Sequence, residues 1–263
     1  MRFGCFGTAR DIETVAQAGF DYIELNLREL IGLQEAEFQN VCARLHACSL
    51  GADAVSWILP TDLDLTAPET DYEDWRAYID TGIERALAIG ARLWPVGSGR
   101  GRSMKAENGS ESEQRERVRS FFAQLAEQTA PAGIRILLEP LGPDYSNYLQ
   151  TLEQTAVFLQ TIPAENVKTM CDLRHMTASG DPLCEIERWA DQIAHAHIDL
   201  PLGKKRLFPR PDDGFDYTEY FRLLQRAGIP RLSVEALHEE NLLEGRESLT
   251  FMRKLLQKTG GSL

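Results

Sequence analysis

The chain is expected to fold as an α/β protein, a single (β/α)₈ TIM barrel spanning residues 1–263, and three observations lead there. Eight short apolar runs alternate with eight longer segments of helical periodicity. No internal repeat or linker divides the 263 residues, a size that α/β barrels occupy as one domain. The run Ile134-Arg135-Ile136-Leu137-Leu138 is apolar and β-branched up to Glu139 and is stopped by Pro140, as suits a strand covered on both faces in a parallel sheet. A doubly wound open sheet is the alternative, but no G-x-G-x-x-G follows the first strand. Gly97-Ser98-Gly99 after the fourth is backed by arginines and reads as a loop.

In chain order, residues 2–6 are the first strand and 11–18 a helix stopped by Gly19. Residues 22–25 make the second strand. Phe38, Val41, Leu45 and Cys48 recur at helical spacing over 34–48, and Gly51 ends that segment ahead of strand three at 54–57. Trp75, Ile79, Ile83 and Leu87 share one face of a helix over 72–89, closed by Gly90, and strand four follows at 93–96. Residues 97–110 form a glycine- and charge-rich loop too long for a plain connector. Helices over 111–130, 151–159, 182–191, 217–227 and 247–256 then separate strands at 134–139, 167–172, 193–199 and 231–235.

Composition narrows the function. The net charge of −12, from 28 basic and 40 acidic residues, argues against a nucleic-acid partner, which Lys and Arg would have to hold. It favours small or neutral ligands, or cations. Five scattered cysteines without a C-x-x-C pair read as reduced thiols of a cytoplasmic protein. The first residues lack the apolar run of a signal peptide, and no uncharged apolar stretch of about 18 residues suggests a membrane span.

The chemistry emerges when the last four strands are aligned by their exits. Strand five ends in Glu139, six in Asp172, seven carries His195 and His197 before Asp199, and eight ends in Glu235. In a barrel these exits meet on one rim, where active sites are built. Two glutamates, an aspartate and a histidine suit one divalent ion such as Mn²⁺, Co²⁺, Mg²⁺ or Zn²⁺. Cys171 precedes Asp172 by one position and should point the other way. His195 and His197 share a strand face. His197, nearer the exit, is the expected ligand, and His195, one layer deeper, could orient a carboxylate beside the ion.

These motifs carry a family resemblance. Leu138-Glu139-Pro140-Leu141, Asp172-Leu173-Arg174-His175, His195-Ala196-His197-Ile198-Asp199, Arg206-Leu207-Phe208-Pro209 with Gly214, and Ser233-Val234-Glu235 occur in order. Together they resemble the xylose-isomerase-like TIM barrel superfamily of sugar isomerases and epimerases, which also includes AP endonucleases of family 2. The resemblance implies one divalent metal held by Glu139, Asp172, His197 and Glu235, with the two glutamates as catalytic acid and base. In ketose 3-epimerases of this kind, one glutamate removes the proton beside the carbonyl and the other returns one on the opposite face. The metal polarises the carbonyl and steadies the enediolate. The resemblance further makes His175 and Arg206 substrate-binding, although Arg206 lies three residues further from His197 than the pattern expects. A second glutamate expected six residues after Glu139 is replaced by Tyr145.

Other residues keep two readings. Asn147 and Tyr148 could contact a sugar or shape a turn. Trp57 and Trp94 could wall the pocket or pack the core. Arg100 and Arg102 could grip a phosphate or face solvent, and Glu24 could face the pocket or close the rim in a salt bridge. The expected function is a metal-dependent sugar isomerase or ketose 3-epimerase acting on a small sugar or sugar phosphate. The alternatives are a metal-dependent dehydratase of a keto-polyol or keto acid, an AP-endonuclease-like phosphodiesterase, or a non-catalytic partner subunit. A homo-oligomer is compatible with all of them.

Overall fold

A computed structural model of the chain describes residues 1–236 and 242–260. Eight parallel strands close in sequence order into a barrel: β1 Arg2–Gly7, β2 Tyr22–Asn26, β3 Gly51–Ser56, β4 Leu93–Val96, β5 Arg135–Leu138, β6 Val167–Asp172, β7 Ile193–Ile198 and β8 Arg231–Val234. β1 closes the ring by pairing Phe3 with Leu232 and Cys5 with Val234 of β8. The helices are α1 Ile12–Ala18, α2 Leu27–Gly32, α3 Glu35–Ala47, α4 Glu73–Ile89, α5 Gly99–Arg102, α6 Glu111–Thr129, α7 Leu152–Leu159, α8 Leu173–Ser179, α9 Glu185–Arg188, α10 Thr218–Arg226 and α11 Leu242–Lys258.

The expected barrel is therefore present, with differences between the strands. Helices α2 and α8 follow β2 and β6 without a turn, because the last strand residue also caps the helix: Asn26 Oδ1 accepts from the Glu29 N–H at 3.2 Å, and Asp172 Oδ1 from the His175 N–H at 2.9 Å. The helix expected over 182–191 is reduced to α9 and a 3₁₀ turn at Ala190–Gln192. The helix expected over 247–256 lies inside the longer α11.

The main apolar core joins the strands to the helix layer, and Ala54, Leu93, Leu137 and Met170 form a separate smaller cluster. Trp94 belongs to the main core, wholly buried on β4, where α4 comes close because Gly82 has no side chain; a Cβ there would sit 3.4 Å from the indole. Truncating such a side chain to alanine costs roughly 3–5 kcal/mol. Trp94 thus packs the core and does not wall a pocket. No two cysteines are joined by a disulfide. Among the described residues no helix is long and apolar enough to cross a membrane.

Candidate metal centre

At the C-terminal rim, Glu139, Asp172, His197 and Glu235 are all buried and each offers a donor atom within 4.8 Å of the others. Backbone geometry sets each one. The Glu139 N–H donates to Val96 O at 3.1 Å, continuing the β4–β5 ladder one residue past the strand, and the Glu235 N–H does the same to Ile198 O at 2.9 Å. Asp172 spends Oδ1 on its helix cap and leaves Oδ2 facing His197, 3.8 Å from Nδ1. The register places His197 beside Asp172 on one side and Ser233 on the other. His197 Nδ1 lies 3.4 Å from Glu139 Oε1 and 3.5 Å from Glu235 Oε2. Gly97 leaves room beside them, since a Cβ there would come within 2.8 Å of Glu139 Oε2, and the carboxylate would have to shift.

Charge explains how so many acids coexist. Burial by itself disfavours the charged imidazolium of His197, but the carboxylates of Glu24, Glu139 and Glu235 outweigh it and hold the ring well above its ordinary pKa. Burial likewise opposes the charged form of Glu235, and Arg206 and then His197 reverse it, keeping the carboxyl below its usual range. Arg206 Nη1 donates to Glu235 Oε2 at 2.5 Å and stands 3.6 Å from Asp199 and 4.0 Å from Asp172. Asp199 is pushed up, first by burial and then by the charge of Asp172. Arg174 donates to both Asp199 oxygens and to Gly203 O at 2.8 Å and Lys205 O at 2.9 Å, so it holds the chain that delivers Arg206.

The donor set fits a divalent cation. His197 Nδ1 and Glu139 Oε1 are buried and have no hydrogen-bond partner among the described residues, and three hard carboxylates with one imidazole are the donors such ions take. Glu24, His195 and His197 form a second close group. Its atoms already answer each other: Glu24 Oε1 and Oε2 lie 2.9 Å from His197 Nε2 and His195 Nε2. Glu24 is fully buried inside the barrel, so it neither lines the cavity nor closes the rim. His195 pairs with Glu24 and packs edge-on against the His197 ring at 5.2 Å, and so orients neither Glu139, Asp172 nor Glu235 directly.

Glu139, His197 and Glu235 of the rim cluster line a cavity of about 1150 Å³. His175, Arg206 and Trp57, expected from sequence at the substrate, all line it. The Gly142 N–H donates to His175 Nδ1 at 3.2 Å, which leaves Nε2 as the atom facing the cluster, 4.0 Å from Glu139 Oε1. Trp57 is 41% exposed at φ 53°, with its ring against Phe6 and the Arg28 guanidinium. That left-handed backbone is costly for a bulky residue and tends to persist where function requires it.

Asn147 does not join them. Its amide is spent on both main-chain groups of Met104, accepting at 2.7 Å and donating at 3.0 Å, outside the cavity lining. Tyr148 packs on Phe158 instead of facing the cavity. The aromatic of this loop that does line it is Tyr145, edge-on to His175 at 4.8 Å and beneath Arg206. The sequence marked Tyr145 only as a departure from the expected glutamate. Arg100 lines the mouth, but Arg102 is neither a phosphate grip nor solvated. It is fully buried and donates to Gly97 O at 2.5 Å, Glu139 O at 2.7 Å, Leu149 O at 3.0 Å and Tyr148 O at 3.3 Å.

With this geometry in place, the sequence model of the xylose isomerase-like TIM barrel family matches residues 12–255. The chain belongs to that family. Among curated proteins none matches it in sequence. Solved structures of similar shape include a D-psicose 3-epimerase, at TM-score 0.84 and 15% identity over 97% of this chain and 99% of the other. A D-allulose 3-epimerase from Methylomonas sp. gives 0.83 and 18% over 97% and 98%, and an L-ribulose 3-epimerase gives 0.81 and 20% over 98% and 95%. At these identities the likeness to this xylose isomerase-like barrel is one of fold.

Proposed function

We propose that the protein is a divalent-metal-dependent ketose 3-epimerase or sugar isomerase. Glu139, Asp172, His197 and Glu235 would hold the ion, which supplies Lewis-acid polarisation of the ketose carbonyl when bound. The observation that carries the reading is the arc of four exits: Glu139 just past β5 and Glu235 just past β8 stand at its two ends, with Asp172 and His197 between them. A ketose lying across that arc has a carboxylate toward either face. One glutamate takes the proton from the carbon beside the carbonyl, giving an enediolate, and the other returns a proton from the opposite side. His175 and Arg206, with Arg206 Nη2 3.3 Å from His175 Nε2, are placed to hold substrate oxygens, and Trp57 and Tyr145 are aromatic walls of the cavity around them. The relatives of like fold that act as 3-epimerases on psicose, allulose and ribulose support the choice of a small ketose.

The test is a panel of ketoses and ketose phosphates in D₂O with Mn²⁺, Co²⁺ or Mg²⁺. Deuterium entering at the carbon beside the carbonyl, with a new epimer or aldose, is the expected result. Loss of water to give a new carbonyl absorbance would replace the reading with dehydration, and no exchange on any sugar would refute it.

A further inference from the structure

We infer that Glu24 is a positioning residue for the metal centre, fixing the tautomer and direction of His197 from inside the barrel; this rests on the reading of Glu139, Asp172, His197 and Glu235 as ion ligands. An imidazole can offer Nδ1 to a cation only if that nitrogen is bare, so the proton must reside on Nε2. His197 Nε2 points to Glu24 Oε1 at 2.9 Å, and a carboxylate at that place can only accept. One ring proton is thereby kept on Nε2, and Nδ1 is turned to the rim, where a cation would take the place of its proton.

The carboxylate is itself held on every side. His195 Nε2 lies 2.9 Å from Oε2, Ser233 Oγ donates to Oε2 at 2.6 Å, and Ser56 Oγ donates to Oε1. Tyr22 OH lies 2.9 Å from Ser233 Oγ, extending the chain of contacts. Gly4 leaves room for that phenol, since a Cβ there would overlap the Tyr22 ring at 2.2 Å. Five strands, β1, β2, β3, β7 and β8, thus converge on one buried acid with no solvent access. A carboxylate in an apolar strand is costly unless paired, and here the pairing has a direction: two imidazoles and two hydroxyls all donate to it. Glu24 belongs to the first half of the barrel, so the half without rim ligands sets the orientation of the one nitrogen ligand in the other.

Glutamine has one acceptor oxygen and one amide group, so in Glu24→Gln the two imidazoles cannot both keep a proton on Nε2. The experiment is Co²⁺ titration followed by visible absorption, together with ¹H–¹⁵N long-range spectra of histidine-labelled, Zn²⁺-loaded protein, which report the protonated ring nitrogen. Wild type is expected to bind one Co²⁺ with His197 protonated at Nε2. Glu24→Gln is expected to bind roughly 10–100-fold more weakly, with an altered Co²⁺ spectrum and one ring having lost its Nε2 proton. Should that variant fail to fold, Ser233→Ala removes one donor to Oε2 and is expected to weaken Co²⁺ binding several-fold. Unchanged affinity and unchanged tautomers in the folded variant would overturn the inference while leaving the metal reading intact. Wild type taking up no Co²⁺ would overturn that reading and the inference with it.

Discussion

Strands β1 to β4 end on Gly7, Asn26, Ser56 and Val96, small, capping or apolar residues, whereas β5 to β8 deliver Glu139, Asp172, His197 and Glu235 to the same rim. One half carries the rim acids and the cations that offset them, and the other braces the histidine among them. Three acids around one imidazole repel each other, and their burial in low dielectric amplifies it. The chain answers with Arg206 and with the His197 ring, which Glu24 of the first half, itself bonded by Ser56, holds from inside the barrel. Trp57 and Gly97, also from the first half, shape the space over the cluster. Catalytic potential is thus confined to an arc, while its geometry is set by the whole ring.

The comparison can be broken in several places. The largest expected effect is on the arc: Glu139→Gln and Glu235→Gln should each reduce deuterium exchange into a responsive ketose by about 10²–10⁴-fold, measured by NMR, and full exchange in either single variant would remove its acid/base role. Next is Arg102, whose loss orphans four carbonyls around the β4 and β5 exits. Arg102→Met should lower unfolding free energy by roughly 3–5 kcal/mol in urea titration, and an unchanged midpoint would show that the loop does not need its pin. In the first half, Trp57→Ala should raise KM by about 5–30-fold, near 1–2 kcal/mol of binding, with kcat less affected. An unchanged KM would make Trp57 mere covering.

The smallest effect lies far from the rim. The Glu13 carboxyl is held down to about 2 by its hydrogen bonds from Arg44, one at 2.7 Å. Its folded value lies below its ordinary value of about 4.3, so its stabilisation is present above that pH and is lost as pH falls toward 2. Being partly exposed, the pair is worth less than ~1 kcal/mol. Arg44→Gln should narrow the stability gap between pH 6 and pH 2.5 by no more than that.

Much of this was legible in the sequence, for physical reasons. Apolar runs that end abruptly on an acid, as at Glu139 and Asp172, mark strand exits because nothing else puts a carboxylate there repeatedly. Helices α2 and α8 were missed because Asn26 and Asp172 are strand end and helix cap at once, leaving no cluster of turn residues to read. Arg102 was illegible because its partners are main-chain carbonyls, which every residue carries. Asn147 carries both readings in the sequence because a turn amide and a binding amide look alike there; the Met104 backbone tells them apart. Glu24 did leave a trace, a single acid among Tyr22, Ile23 and Leu25, but the two histidines that answer it lie some 170 residues away.

The most direct test of the central claim, that the four exits of β5 to β8 form one divalent-metal site, is calorimetric titration of Mn²⁺ into the chelator-treated protein and into Asp172→Ala and His197→Ala. One ion per wild-type chain, with binding lost or cut at least tenfold in both variants, is the predicted result; no uptake by wild type, or equal uptake by all three, would contradict it.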